Sequence, residues 1–178
     1  RENDYILGFE ESYGYLSGSY VRDKDAVDGS LMICEMFAYY KTHDQSLLDV
    51  LNGLYAKYGY CLNTLHSYEF EGAEGFAKMQ GIMETFRNDC PAGWVGRKIL
   101  SVSDYRESVT RYADGSKVDI DLPKSNVLKY QLEGNLSVVV RPSGTEPKLK
   151  MYFSVSAENR DKAQEMEKEF VAEVEKML

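Results

Sequence analysis

The sequence predicts an α+β fold that ends in a small domain, in which helices cover one face of an antiparallel sheet. Helical and strand-like patterns both recur along the 178 residues, and 43% of the residues are hydrophobic, which is ample for a packed core. The helical patterns lie at 30–41, 46–58, 73–87 and 158–178, and the strand patterns lie at 5–9, 60–70, 97–141 and 150–155. The pattern changes after Gly59, which predicts a boundary between residues 1–58 and residues 59–178.

The first part reads as one strand followed by two helices. Residues 5–9 predict a short buried strand that leads into a loop rich in Gly and Ser. Residues 30–41 are apolar on almost every side, which predicts a buried helix with Asp28 as its N-cap. Ser46 and Asp49 have the spacing of a capping box at the start of the next helix.

The second part mixes strands and helices. Residues 60–70 alternate as a strand, and residues 73–87 form an amphipathic helical pattern. Several short strands follow over 97–141, a further strand covers 150–155, and the terminal helix carries a regular apolar stripe over 158–178. This order predicts an antiparallel sheet with helices on one face.

Composition limits the classes of partner. A formal net charge of −8 argues against nucleic acid or an anionic membrane as the main partner, because both require a broad basic surface. The three cysteines lack the spacing of zinc sites, redox sites or secreted disulfide frameworks, which favours a cytoplasmic protein. No apolar run approaches the length of a transmembrane helix. The chain starts without Met and enters an apolar run within four residues, so we expect a fragment of a longer polypeptide.

The segment RPSGTEPKLK, residues 141–150, concentrates groups that bind phosphate. Arg141 offers a planar fork to two phosphate oxygens, and Ser143 and Thr145 add hydroxyl donors. Gly144 can take a positive φ, which would aim consecutive backbone N–H groups at an anion. Lys150 adds a positive charge at the end of the segment. An ordinary tight hairpin also uses Pro, Ser and Gly, so the residues alone leave both interpretations open.

The segment GFEESYG, residues 8–14, carries two adjacent glutamates. On an extended backbone Glu10 and Glu11 point to opposite faces, which disfavours the paired carboxylates of a glycosidase. Glu10 and Ser12 face the same way and can together bind neighbouring sugar hydroxyls. Solvated loop charges remain the other interpretation on the residues alone.

Both segments resemble motifs of the α-D-phosphohexomutases, the phosphoglucomutase/phosphomannomutase superfamily. Residues 141–150 resemble the phosphate-binding loop of the family's last domain, which implies phosphate contacts from Arg141, Ser143, Gly144 and Thr145. The family often has arginine where Lys150 stands, so this lysine is expected to act only as a point charge.

The second motif lies in the first part of the chain. The stretch 9–14 resembles the family's Gly-Glu-x-Ser sugar-binding signature, with Phe9 in place of its first glycine. The resemblance implies that Glu10 and Ser12 bind sugar hydroxyls. It also implies that Lys24, in a run that resembles an Arg-x-Lys-Asp stretch of some members, reaches toward the substrate.

The resemblance implies that this chain supplies binding residues to a larger enzyme whose catalytic residues lie in other domains. Residues 1–58 would be the C-terminal part of the third, α/β domain, and residues 59–178 the C-terminal fourth domain. Such an enzyme interconverts sugar 1-phosphates and 6-phosphates through a phosphoserine, a bisphosphate intermediate and Mg²⁺. This chain has neither the family's serine loop nor its metal loop, so we assign it no catalytic residue and no metal ligand. Its expected partners are a phosphosugar and the missing N-terminal domains.

Two alternatives remain from the sequence. The parent protein could be a phosphopentomutase-type member, or the chain could be a non-catalytic module that binds phosphosugars. His43 and His66 stand alone and predict structural roles rather than catalysis.

Overall fold

A computed structural model of the chain describes residues 5–10, 14–144 and 146–178. Contacts within the chain divide it into two compact units, the first ending at Lys57 and the second beginning at Tyr58.

The first unit contains a β-hairpin and two helices. Strand β1, Leu7–Glu10, pairs antiparallel with β2, Gly14–Ser17, and helices α1, Ala26–Thr42, and α2, Leu47–Tyr58, follow. A side chain at Gly29 would meet Tyr15 Cβ at 3.0 Å, so the glycine allows α1 to pack closely on β2.

The expected burial of this unit is wrong. Phe9 on β1 is 74% exposed, and Phe37 on α1 is 57% exposed. Gly29 is the buried residue of α1, and α2 has no buried residue. A two-stranded hairpin offers too little surface to cover an element that is apolar on several sides. The apolar pattern identified the helices correctly but overestimated their burial.

The N-cap of α1 is Asp25 and not Asp28 as expected. Asp25 has an extended backbone, and its side chain accepts hydrogen bonds from the N–H groups of Val27 at 2.9 Å and Asp28 at 3.1 Å. The Asp28 carboxylate instead accepts from the backbone N–H of Ser17 at 2.9 Å and from its hydroxyl. Asp28 therefore ties the helix to β2.

The predicted capping box of α2 is confirmed. The Asp49 N–H donates to Ser46 Oγ at 3.1 Å, and the Ser46 N–H donates to Asp49 Oδ2 at 3.1 Å. The Ser46 hydroxyl also donates to Asp49 Oδ2 at 2.6 Å, and this bond together with that from the Ser46 N–H holds the pKa of Asp49 below its usual value of 3.8. Gly59 follows the helix with a φ of 86°.

The second unit is built on an eight-stranded antiparallel sheet. Its strands are β3 (Tyr60–Glu69), β4 (Gly93–Trp94), β5 (Arg97–Asp104), β6 (Val109–Tyr112), β7 (Lys117–Asp119), β8 (Leu128–Leu132), β9 (Leu136–Pro142) and β10 (Lys148–Ala157). The order is β3-β10-β9-β8-β5-β6-β7, and β4 pairs with β5. Helix α3, Gly72–Asn88, and helix α4, Arg160–Val174, complete the unit, followed by a short 3₁₀ turn.

Helices α3 and α4 bury one face of this sheet. The strands β8, β9 and β10 alternate buried and partly exposed residues, and their buried residues join those of both helices in one core. Within this core the Tyr130 hydroxyl donates to the Phe86 carbonyl at 2.8 Å, linking β8 to α3. The predicted α+β fold is confirmed.

His66 has a structural setting. Its Nε2 lies 2.8 Å from the carboxylate of Glu167 on α4, which also accepts from the Thr64 hydroxyl at 2.7 Å. These polar contacts join β3 to α4.

Candidate functional site

The segment 141–150 forms the connection between β9 and β10. Arg141, at the end of β9, is the cross-strand partner of Lys150 on β10. Both side chains lie on the face opposite the core, since the neighbouring Leu149 and Val140 are fully buried.

The pairing of Arg141 with Lys150 sets two positive charges side by side. Like charges opposite each other destabilise a strand pair. In the described part of the chain, neither side chain forms an ion pair with a carboxylate. The arrangement therefore costs stability by itself and would be stabilised by an anion bound between the two cations.

Backbone hydrogen bonds close the loop above this pair. The Ser143 N–H donates to the Lys148 carbonyl at 2.7 Å, and the Glu146 N–H approaches Ser143 Oγ at 3.4 Å. The Ser143 N–H is thus already used and does not contribute to a nest for an anion. The Ser143 hydroxyl hydrogen remains able to donate to a ligand.

Gly144 lies at the open tip of the loop. Its φ falls outside the left-handed region, so the positive φ that we considered is not adopted here. A side chain built at this position would meet nothing within 4 Å, which leaves the approach to the loop open. Thr145 lies outside the described residues.

Glu10 and Lys24, two of the sugar-binding candidates of the first unit, line a cavity of about 260 Å³ between the hairpin and the segment before α1. The Nζ of Lys24 lies 3.3 Å from Glu10 Oε2, and both side chains are about half exposed. The structure thus brings together two residues that the sequence suggested separately. Ser12 and Glu11 lie outside the described residues.

Gly14 allows this contact. A Cβ at Gly14 would lie 2.3 Å from Lys24 Cδ and 2.9 Å from Lys24 Cγ. The glycine therefore lets the lysine stem cross the start of β2 on its way to Glu10.

Polar contacts fix the segment that carries Lys24. The Tyr20 hydroxyl donates to Asp25 Oδ2 at 2.8 Å. The backbone N–H of Asp28, and then this hydroxyl, hold the pKa of Asp25 below its usual value. Arg22 also lines the cavity, a position to which the sequence analysis gave no role. Its place two residues before Lys24 in the same charged run was the available signal.

The described residues contain neither a cluster of metal-ligating side chains nor a helix that could span a membrane. Among the described residues, no group of three or more His, Cys, Asp or Glu side chains is arranged to hold a metal ion. In the same part of the chain, no helix is both long and apolar enough to cross a membrane.

Comparison with protein families identifies both parts of the chain. Residues 1–58 match the family model of phosphoglucomutase/phosphomannomutase, alpha/beta/alpha domain III, and residues 98–173 match that of the phosphoglucomutase/phosphomannomutase C-terminal domain. The chain belongs to the phosphoglucomutase/phosphomannomutase family. The family predicted from the sequence is thereby confirmed.

Individual relatives agree with this assignment. The chain is 38% identical over 162 residues to a phosphoglucomutase of Staphylococcus epidermidis and 39% identical over 157 residues to one of Staphylococcus aureus. These matches cover 90% and 88% of the chain, but 29% and 28% of the relatives. The chain therefore spans less than a third of the length of these relatives.

A solved structure shares the fold. The open form of pp63/parafusin, a phosphoglucomutase from Paramecium, matches with a TM-score of 0.61 and 17% identity. The match covers 96% of this chain and 30% of that protein. At this identity the likeness supports the fold alone.

Proposed function

We propose that this chain supplies the phosphate grip and part of the sugar contacts of a phosphohexomutase that interconverts sugar 1-phosphates and 6-phosphates. The observation that carries the proposal is the cross-strand pair of Arg141 and Lys150, two cations without a carboxylate partner in the described part of the chain. A phosphate dianion is the ligand whose charge and shape suit a guanidinium beside an ammonium.

Each loop residue has a distinct part in this grip. Arg141 donates two parallel hydrogen bonds to the phosphate, and Lys150 balances its remaining charge. The Ser143 hydroxyl donates a further bond, and the open side of Gly144 admits the ligand. We assign Thr145 a second hydroxyl contact, as in the family motif.

The first unit would bind the sugar itself. The Glu10 carboxylate accepts hydrogen bonds from sugar hydroxyls, and Ser12 donates or accepts beside it. Lys24, held 3.3 Å from Glu10, donates to an adjacent oxygen of the substrate. Together these groups fix the orientation of a phosphosugar but do not break a bond.

We assign the chemical step to parts of the parent polypeptide outside this chain. Phosphoryl transfer requires a nucleophile and a metal ion that neutralises the developing charge. The described residues do not fit a Mg²⁺ site, so we place the Mg²⁺ ligands and the phosphoserine in the preceding domains, which would be the main partners of this chain. The 178-residue chain alone should show no turnover of glucose 1-phosphate in a coupled assay, and turnover above background would contradict this assignment.

Calorimetry tests the proposed grip. Glucose 1-phosphate and glucose 6-phosphate should bind the chain more tightly than glucose. Arg141→Ala should weaken the binding of both phosphosugars by roughly 10- to 100-fold, because hydrogen bonds to charged groups contribute about 1.5–3 kcal/mol each. Lys162→Ala is the matched control, because it removes from α4 an exposed cation that pairs with Glu158 just before the helix, and it should leave binding unchanged. Equal binding of glucose, or full binding by Arg141→Ala, would contradict the proposal.

Two other functions would give different results. A phosphopentomutase-type protein would prefer ribose 1-phosphate over glucose 1-phosphate in the same titration. A non-catalytic module would bind phosphosugars, but the parent enzyme would keep full activity after Arg141→Ala.

A further inference from the structure

Lys148, at the start of β10, holds two carboxylates. Its Nζ lies 3.1 Å from Glu69 Oε1 at the end of β3 and 3.1 Å from Glu146 Oε2 in the loop. The hydrogen bond to Glu146, and to a smaller extent the one to Glu69, raises the pKa of Lys148 above its usual value. Its ammonium is therefore occupied by protein carboxylates, unlike the ammonium of Lys150.

The same end of the loop is fixed through its backbone. The Phe70 N–H donates to the Pro147 carbonyl at 2.8 Å, and the Lys148 N–H donates to the Glu146 carbonyl at 2.7 Å. Lys148 and Glu69 are also cross-strand partners in the pairing of β10 with β3. Glu146 is thus tied to Lys148, at the start of β10, through both its backbone carbonyl and its side chain.

The position of Glu146 matters because it is an anion in a loop that we propose to bind an anion. A free carboxylate there would be attracted to the cations Arg141 and Lys150 and would compete with phosphate. In the structure the carboxylate lies on Lys148 instead, and both cations remain without an ion pair in the described part of the chain.

We propose that Lys148 is a positioning residue that holds the Glu146 carboxylate away from the phosphate site. The proposal rests on the proposed phosphate-binding function of the loop. Lys148 itself does not contact the phosphate. It acts by removing an internal competitor for Arg141 and Lys150.

The size of the effect follows from the strength of exposed ion pairs. When Lys148 is replaced by Met, Glu146 can pair with Arg141 or Lys150, and an exposed pair of this kind is populated over the open state by a factor of about 1.5 to 5. Phosphate must then displace it, so the apparent Kd for phosphate rises about two- to sixfold. Adding Glu146→Gln removes the competitor and should restore the affinity.

The test is calorimetric titration of the 178-residue chain with inorganic phosphate. Lys148→Met should bind about two- to sixfold more weakly, whereas Lys148→Arg and Glu146→Gln should bind at least as well as the unmodified chain. The double variant Lys148→Met/Glu146→Gln should match Glu146→Gln within twofold. Lys162→Met is the matched control, because it breaks the exposed pair with Glu158. It should leave the affinity for phosphate unchanged. Its effect on the melting temperature should be no larger than that of Lys148→Met.

The outcomes separate this inference from the proposed function. Unchanged binding by Lys148→Met would overturn the inference alone. Weakened binding that Glu146→Gln does not restore would also overturn it, since Lys148 would then contact phosphate or merely support the fold. An unmodified chain that does not bind phosphate would overturn the proposed function, and the inference with it.

Discussion

Gly14→Ala is the substitution that the structure of the first unit predicts most sharply. The φ of Gly14 lies outside the left-handed region, so alanine fits the backbone without strain. Its methyl group would lie 2.3 Å from Lys24 Cδ, which is far inside van der Waals contact. The lysine stem must therefore leave its path across β2, and the 3.3 Å contact between Lys24 and Glu10 is lost.

The expected effects on stability and on binding differ in size. The side chains of Lys24 and Glu10 are 51% and 55% exposed, so the loss of their ion pair should change the free energy of unfolding by less than about 1 kcal/mol. One misplaced charged contact to a sugar hydroxyl removes about 1.5 kcal/mol or more of binding free energy, which corresponds to about tenfold in Kd. Gly14→Ala should thus weaken substrate binding without unfolding the protein.

Calorimetry with two ligands tests this expectation. Gly14→Ala should weaken the binding of glucose 1-phosphate about tenfold. It should leave the affinity for inorganic phosphate unchanged, because the proposed phosphate-binding loop lies in the second unit. Gly53→Ala is the matched control, since a methyl group at this position in α2 meets nothing within 4 Å. It should raise the free energy of unfolding by about 0.5–1 kcal/mol and leave both affinities unchanged. Unaltered binding of glucose 1-phosphate by Gly14→Ala would refute the proposed placement of Lys24 and Glu10 on the sugar.

Three further predictions concern stability, pH and reactivity. Asp104→Ala should lower the free energy of unfolding in urea by about 1.5–3 kcal/mol, the contribution of hydrogen bonds to a charged group. It removes the buried carboxylate that lies 2.8 Å from Arg87 Nε, while the guanidinium keeps Glu84 at 3.0 Å and Asn126 at 2.8 Å. A loss below about 0.5 kcal/mol would contradict this. Hydrogen bonds from Ser46 lower the pKa of Asp49 in the folded chain. The contribution of Asp49 to folding stability is therefore complete above the ordinary pKa of 3.8 and is lost as pH falls through the lowered value. Circular dichroism should accordingly find Asp49→Asn less helical than the unmodified chain at pH 5, with the difference vanishing near pH 2. Burial raises the pKa of the Cys90 thiol to about 12, so this thiol should react with a disulfide reagent at pH 8 far more slowly than the two exposed cysteines, and equal rates would contradict its burial.

The second unit was largely predictable from sequence because its patterns reflect its own core. Buried and partly exposed residues alternate along strands β8, β9 and β10, and the buried ones pack against α3 and α4. The alternation of apolar residues in the sequence therefore corresponded to burial in the structure. The first unit was less predictable. Its apolar pattern reports which residues avoid water, but not whether a surface exists to cover them, and Phe37 remains more than half exposed.

The candidate site also combines features that the sequence predicts with features that depend on tertiary contacts. The proximity of Arg141, Ser143 and Lys150 in the loop that we propose to bind phosphate was predictable, because they are close in sequence and lie on one hairpin connection. The contact of Lys24 with Glu10 depends on the absence of a side chain at Gly14, a condition that no sequence pattern states. The anchoring of Lys148 to Glu69 depends on strand pairing across the sheet, which fixes neighbours that are distant in sequence.

The N-cap of α1 was missed for a related reason. Asp25 and Asp28 are equally good capping residues by type. The choice between them is made by the bond of Tyr20 to Asp25 and by the use of Asp28 to hold Ser17, and both are contacts of the folded chain.

We propose above all that the loop between β9 and β10 binds phosphate. The most direct test is a titration of the isotope-labelled chain with inorganic phosphate, followed by amide and side-chain NMR shifts. We expect saturable shifts confined to residues 141–150 and their immediate neighbours on β3, with the Arg141 guanidinium among them. These shifts should be lost in Arg141→Ala. Shifts centred elsewhere in the chain, or no saturable shift in this loop, would contradict it.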